Sequence, residues 1–481
     1  VSELDGKSIR ELSEFKKTID DMIVTNKVSN RRSGIIYDHD KVTEIIEGGA
    51  FSQLRVMSRE FFRTNGLYRR MILYFATMST YDTLLVPKFY DKPSTTGFLQ
   101  NYNNALYYLD KMNIASEFSR IFTNVLVDGI YYGLVVNEQS NFTFYDLPLE
   151  YCRTQFKNST GLNVLEFDMR YFDKIRNGQT LAKSLAGFPR SVQNYYKQYT
   201  ANRNILSNWM VIQNDEGVAF YYKDLSPFFV SMIPALVDLK DYKGMEKKRD
   251  EQELSKILIQ QLPLDENNEL VFDLAEAKEI HRGIVQMLQN SPSVDVLTTF
   301  CEAKIESLQD GRQTVRDNLE KVERSVYNEA GVSKNLFATD SSTALDASIK
   351  GDFAIVCDVL EGFSIWINSY VSKKFSVKNE YFFEVNILPI SHYNREDVLD
   401  KYLTAAQNGF SKILVGIASG IKQSNLMNIL TLENDILGLP DVMKPLQTSN
   451  TLSAAESTGT GNTKKLKDKT AKTVKNIEST K

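Results

Sequence analysis

The stretch Val127-Asp128-Gly129-Ile130-Tyr131-Tyr132-Gly133-Leu134-Val135-Val136 changes its period within its first few residues. Upstream, Leu106 to Ile130 carries Leu109, Met112, Phe118, Ile121, Phe122 and Val125 at helical spacing. Asp128-Gly129 is a helix stop, because glycine takes the left-handed backbone that ends a helix without a Cβ penalty. Downstream, Tyr131 to Asn137 is rich in β-branched and aromatic residues and predicts a strand. Further short strands are expected at Asn141 to Asp146, Tyr151 to Phe156 and Leu162 to Met169, with Asn158-Ser159-Thr160-Gly161 as a turn. Helix feeding directly into strands predicts an α+β fold.

Working toward the N-terminus, Phe51 to Thr64 and Leu67 to Met78 have helical spacing and are separated by a stop at Asn65-Gly66. Working the other way, Phe172 to Ile205 reads as helical and surface-exposed. Trp209 to Gln213 and Val218 to Lys223 flank Asn214-Asp215-Glu216-Gly217, a hairpin signal with a four-residue loop.

The chain then turns charged. Phe228 to Leu239 is apolar, and Asp238 to Lys256 alternates Lys, Arg, Asp and Glu. Together they suit one long helix whose far part is either solvated or packed on copies of itself. Strands are expected at Lys256 to Pro263 and Val294 to Leu308, with a short helix at Leu274 to Gln289 between them. A second charged helix, Gly311 to Ala330, has the stripe Val315, Leu319, Val322 and Val326 and ends at Gly331. A polar loop, Phe337 to Ala344, leads into the longest helix, Leu345 to Lys374, whose thirty residues make a rod of ~45 Å. Its stripe is Leu345, Ile349, Phe353, Val356, Leu360, Phe363, Ile367 and Val371. A strand at Tyr381 to Leu388 and helices at Arg395 to Asn408 and Lys422 to Leu432 follow. Residues 447–481 are poor in apolar side chains and are expected to be disordered.

With 481 residues, 42% of them hydrophobic, the chain is long enough for several core-forming parts, and its net charge of −4 argues against tight duplex binding by a basic body. Cys152, Cys301 and Cys357 are too few and too scattered for a disulfide framework or a zinc site, and free thiols suit a reducing cytoplasm. No targeting segment is expected from the polar start Val1-Ser2-Glu3-Leu4-Asp5. The apolar run Leu225 to Leu239, broken by Pro227 and Pro234, is too short for a bilayer, so no membrane partner is expected.

Catalytic signatures are missing from the sequence. His39, His281 and His392 lie far apart, and no metalloprotease, nucleophile-elbow or P-loop pattern occurs. Asp168 and Asp173 are candidates for a metal pair, yet their spacing is not diagnostic and salt-bridged acids are the plainer reading. No enzyme activity, cofactor or metal is expected.

Three phrases and their order carry a resemblance. The helix-to-strand step Asp128 to Gly133 comes first. Leu147-Pro148-Leu149-Glu150-Tyr151-Cys152-Arg153 follows, and Val326-Tyr327-Asn328-Glu329-Ala330-Gly331-Val332-Ser333-Lys334-Asn335-Leu336-Phe337 closes the second charged helix. Set in this sequence of elements, they resemble the portal proteins of tailed bacteriophages from about Phe51 to Pro445. One departure is Ser333, where many of that family carry proline. The resemblance implies an elongated subunit with a wing at 1–225, a first stem helix at 226–257, a clip at 258–305 and a second stem helix at 306–332. A tunnel loop at 333–344, a spine helix and strand at 345–395, a crown at 396–446 and a disordered basic tail at 447–481 complete it.

The family further implies a ring of about twelve copies at one capsid vertex, through which double-stranded DNA is packaged and ejected without sequence specificity. Its partners would be the major capsid protein and scaffold, the terminase large subunit and a head–tail adaptor. Its place would be the virion, after assembly in the host cytoplasm. Thr339, Asp340, Ser341, Ser342 and Thr343 would face the channel, where hydrogen bonds without a cation could touch a moving duplex and not hold it. Asp265, Glu266, Asn267, Asn268 and Glu269 would lie in the clip that meets motor and adaptor. Lys464, Lys465, Lys467 and Lys469 make the tail basic, for contact with packaged DNA or the capsid lining, or simply as a solubilising end. Read without the family, residues 338–344 are an ordinary surface loop. Two other functions stand beside this one. Another head–tail or baseplate component is one, though connectors are usually smaller. The other is a metal-dependent nucleic-acid enzyme, which should show a carboxylate or nucleotide motif.

Overall fold

The first described helix, α1 (His39–Gly48), is capped by Asp38, whose side chain accepts from the Lys41 N–H at 2.9 Å. Two helices then meet at one residue. Asn65 ends α2 (Phe51–Thr64) and caps α3 (Gly66–Ala76), its side chain accepting from the Tyr68 N–H, so the expected stop is also a start. These coordinates come from a computed structural model, which describes residues 37–90, 97–138, 141–175, 178–254, 256–261, 279, 282, 294–299, 312–337, 343–377 and 380–439. The chain divides into two compact units, 1–424 and 425–481.

After β1 (Thr83–Phe89), the long helix expected up to Ile130 is two helices, α4 (Phe98–Met112) and α5 (Ile114–Asp128). They break at Asn113, which adopts a left-handed φ of 46°. Asparagine tolerates that conformation better than most residues, which is why an unbroken apolar stripe can hide a corner there. Gly129, at φ 79°, ends α5, and β2 (Ile130–Asn137) begins at once. β2 is the centre of an antiparallel sheet with β3 (Phe142–Asp146) on one side.

The next part departs from three expectations. Of the strand at 151–156 only β4 (Cys152–Arg153) forms, and it pairs with β5 (Leu165–Asp168). Residues 170–201 form α6 (Arg170–Asp173), α7 (Gly178–Ala186) and α8 (Arg190–Ala201). They are not simply surface helices, because Phe172, Phe188, Val192, Tyr196 and Tyr199 are buried in a second core with Phe167 and Leu165. The supposed hairpin is not one. β6 (Trp209–Ile212) pairs with β5, whereas β7 (Gly217–Tyr221) pairs with β2 in the other sheet. The Gln213 carbonyl accepts from both Glu216 and Gly217 N–H, at 2.9 and 2.8 Å, which closes a tight turn between sheets. Ile212 then enters the second core and Val218 and Phe220 the main one.

A single turn at Val230–Met232 leads into α9 (Ile233–Leu254). Its first residues, Ile233, Ala235, Leu236, Val237 and Leu239, are buried in the main core, and residues 240–247 beyond them are largely exposed. β8 (Lys256–Gln261) and β9 (Val294–Thr299) pair in parallel, which requires a crossover connection rather than a hairpin. Of the helix expected at 274–289, Glu279 and Arg282 are described and both are helical. α10 (Arg312–Ala330) follows, with Val326 fully buried and Leu319 and Val322 packed against the main core.

α11 (Thr343–Phe375) runs 33 residues, about 50 Å. The expected stripe from Phe353 to Val371 is buried throughout. Trp366 joins it, donating its indole N–H to the Asn214 carbonyl at 3.0 Å, and Phe118 stacks on Phe363 with centroids 4.5 Å apart. Each such side chain contributes about 1.5–3 kcal/mol of burial. Among the described residues, Leu345–Phe375 is the one stretch long and apolar enough to cross a membrane by length and composition; its packed stripe marks it as a core helix here.

β10 (Tyr381–Ile387) returns antiparallel to β1, with Leu85 opposite Val385. Both outer edges of this ribbon are closed at that level by side-chain amides. Asn368 receives the Val385 N–H at 2.6 Å and donates to the Val385 carbonyl at 3.0 Å. Gln423 receives the Leu85 N–H at 2.8 Å and donates back at 3.3 Å. Each amide stands where a neighbouring strand would otherwise pair. α12 (Arg395–Gln407) and α14 (Gln423–Thr431) match the expected helices, and α13 (Lys412–Ala418), between them, was not expected. Its Ile417 and Ala418 complete a small third core with Leu388 and Ile390.

Candidate functional site

The helix-to-strand step is held from outside by α2. Helix C-termini leave carbonyls without intrahelical partners. Here Ser58 donates to the Val127 carbonyl at 2.6 Å and Arg55 to the Asp128 carbonyl at 2.8 Å, while Arg59 binds the Asp128 carboxylate through two nitrogens at 2.6 and 3.0 Å. Burial lowers the Arg55 pKa, against the opposing pull of Tyr132 and Asp128. Gly129 is obligatory, because a Cβ there would lie 2.1 Å from the Leu225 carbonyl oxygen. Opposite, Arg120 on α5 binds Glu117, Asp146 and the Phe144 carbonyl, and Tyr131 donates to Asp146 at 2.8 Å. Burial opposes the Arg120 cation, yet Tyr131, Asp146 and Glu117 outweigh it and raise its pKa. The sequence reading missed this clamp. Its signal was the polar set Arg55, Ser58 and Arg59 at helical spacing on one face of α2.

The two charged helices lie side by side. Lys243 on α9 pairs with Glu323 on α10 at 3.3 Å, and His39 on α1 bonds Asp238 at 2.8 Å. Glu320 lies within 3.7 Å of Arg324 and 3.8 Å of Lys334. All these pairs are exposed, where each is worth under about 1 kcal/mol, so they orient the helices more than they stabilise them. α10 ends in a Schellman motif, with Val332 N–H on the Tyr327 carbonyl at 3.1 Å, Gly331 N–H on Asn328 at 3.0 Å, and Gly331 at φ 70°. The Ser333 hydroxyl then accepts from the Asn335 N–H at 3.3 Å, opening the single turn Lys334–Phe337. That is work a proline at this position could not do.

Thr339, Asp340, Ser341 and Ser342 lie outside the described residues. Thr343 belongs to the first turn of α11 and not to the loop, a correction to its expected place. Asp265, Glu266, Asn267, Asn268 and Glu269 also lie outside the described residues, as do Lys464, Lys465, Lys467, Lys469 and the rest of 447–481.

The suspected metal pair separates into two ion pairs. Asp168 binds Arg170 and accepts from Asn208 at 2.9 Å, while Asp173 binds Arg203 at 2.8 Å and accepts from Tyr196 at 3.1 Å. Burial acts to raise the Asp168 pKa, but the bonds from Arg170 and Asn208 prevail and lower it. Among the described residues no group of three or more His, Cys, Asp or Glu side chains gathers as a metal site. Cys152 is buried and Cys357 half-buried, both free, and burial raises both thiol pKa values.

No family model matches the chain, and no curated protein matches it. Among solved structures it is similar to a chain from the neck of an empty GTA particle computed with C6 symmetry. The TM-score is 0.40 and the identity 12%, over 76% of this chain and 93% of that one.

Proposed function

We propose that this protein is a portal subunit of a tailed bacteriophage, a structural protein and not an enzyme. Copies would form a ring at one capsid vertex, pass double-stranded DNA inward during packaging and outward on infection, and dock the packaging motor and then a head–tail adaptor. The observation that carries the reading is the order of elements. An α+β body is followed by a charged helix, a small insert on parallel strands, and a second charged helix beside the first. A short connection and a 33-residue helix then lead back into the body's core. In this arrangement the connection between Phe337 and Thr343 becomes the channel loop, and the insert between α9 and α10 becomes the clip. A channel that must let DNA slide needs hydrogen-bonding groups without fixed cations, and Asp340, Ser341 and Ser342 meet that requirement.

The test is functional. Replacing Ser341 and Ser342 with lysine adds two cations per subunit to the channel. The double variant should assemble as wild type and package DNA at a rate at least tenfold lower, more so at low salt. Wild-type packaging by that variant would take the loop out of the channel.

A further inference from the structure

Residues of both clamps, Arg59 with Asp128 and Tyr131 with Asp146, line an open cleft of about 360 Å³. That is room for a small molecule or for two or three side chains. The buried Val127, Ile130 and Leu147 and the half-buried Phe62, Pro148 and Leu149 give it apolar surface. Three polar groups in it have bonding capacity to spare. Arg120 and Tyr131 both donate to Oδ1 of Asp146, and its Oδ2 has no bond among the described residues. Glu150 is exposed and makes no hydrogen bond or ion pair among them, although Lys174, 4.7 Å over the Tyr151 ring, feels its charge. Asn124, half-buried on α5, has a side-chain amide with no bond among them either. The cation of the lining, Arg59, is already held by both oxygens of Asp128.

We propose that this cleft receives a basic side chain, a guanidinium or ammonium on its apolar stem, presented by a peptide segment of another protein. Carboxylates with unused acceptors beside an apolar wall match the two halves of such a side chain, whose stem packs while its head stays hydrogen-bonded. Arginine suits Asp146 and Glu150 better than lysine, because its planar fork can serve two acceptors at once. An anion would meet those two carboxylates, with the lining's arginine already committed to Asp128. The bearer is a peptide and not a free amine, because a single side chain leaves most of the volume empty. Phe62, Pro148 and Leu149 offer surface to the residues beside it, and the Asn124 amide can both donate to and accept from a peptide backbone. The cleft lies in the body of the subunit, so its occupancy does not depend on the ring.

The test uses the full-length protein and a fluorescein-labelled hexapeptide of alternating leucine and arginine, with binding read by anisotropy. Saturable binding is expected, and at least tenfold weaker binding of the same peptide with citrulline in place of arginine. Glu150→Gln combined with Asn124→Ala should also weaken binding at least tenfold. Neither side chain holds a bond in the free protein, so circular dichroism and the denaturant midpoint should not change. Glu329→Gln, at an exposed acid on α10, should bind as wild type does. An equal loss in Glu329→Gln would reduce the effect to net charge and overturn the inference. Equal affinity for the citrulline peptide, or no binding up to millimolar peptide, would overturn it too. Agmatine binding as tightly as the hexapeptide would make the occupant a free small cation. Binding seen only after copies are dissociated would make it a second copy. Either result also overturns the inference.

Discussion

Gly129 joins two constraints in one residue. Its backbone is left-handed, and its missing Cβ leaves room for the Leu225 carbonyl at a distance no side-chain carbon tolerates. Gly129→Ala therefore combines about 1–2 kcal/mol of backbone strain with a backbone clash. The expected loss is at least about 3 kcal/mol, read as a shift in denaturant midpoint. Asp352 makes a different prediction. It is buried on α11, accepts from the Tyr74 hydroxyl at 3.1 Å, and burial raises its pKa despite that bond. The folded state thus holds this proton more tightly than the unfolded chain. The stability it lends is full below the ordinary carboxylate range and is lost as pH rises through the raised pKa. Asp168 acts in the opposite sense, because its lowered pKa makes stability fall as pH drops. Midpoints measured against pH should show Asp352→Asn removing the decline as pH rises above the ordinary carboxylate range and Asp168→Asn flattening the decline as pH falls below it. An unchanged profile in either variant would contradict the assignment.

At the scale of elements, the β1–β10 ribbon depends on two amides borrowed from helices. Replacing Asn368 with leucine keeps the volume and removes both bonds to Val385. Leaving a buried N–H and carbonyl unpaired costs about 1–3 kcal/mol each, so a loss of about 2–4 kcal/mol is expected in equilibrium unfolding. Elements with a strong single period were legible in the sequence: α2, α3, α10 and the stripe of α11 stand where their spacing puts them. The rest failed for physical reasons. Asn113 bends the chain without glycine or proline to announce it, so α4 and α5 read as one helix. The 214–217 turn has hairpin letters, but the strands on either side find partners in different sheets, and tertiary pairing outranks the local signal. The aromatics of α6 to α8 look like surface residues until the second core covers them, since tyrosine suits either place. Thr339 to Ser342 of the candidate loop lie outside the described residues, and the Ser333 turn before them was visible in the sequence only as a departure from proline. The clamp on Val127 and Asp128 joins residues about seventy positions apart, a pairing no local window contains.

For the whole molecule, the account makes one demand on solution behaviour. If the proposed portal reading holds, copies of the chain must close into a ring. The most direct measurement is the native mass of the purified full-length protein, taken together with electron micrographs of the same sample. The account predicts a ring of about a dozen 54.9 kDa subunits around an open centre, with no nuclease activity when magnesium and DNA are added. A compact dimer that cleaves DNA in the presence of magnesium would contradict it.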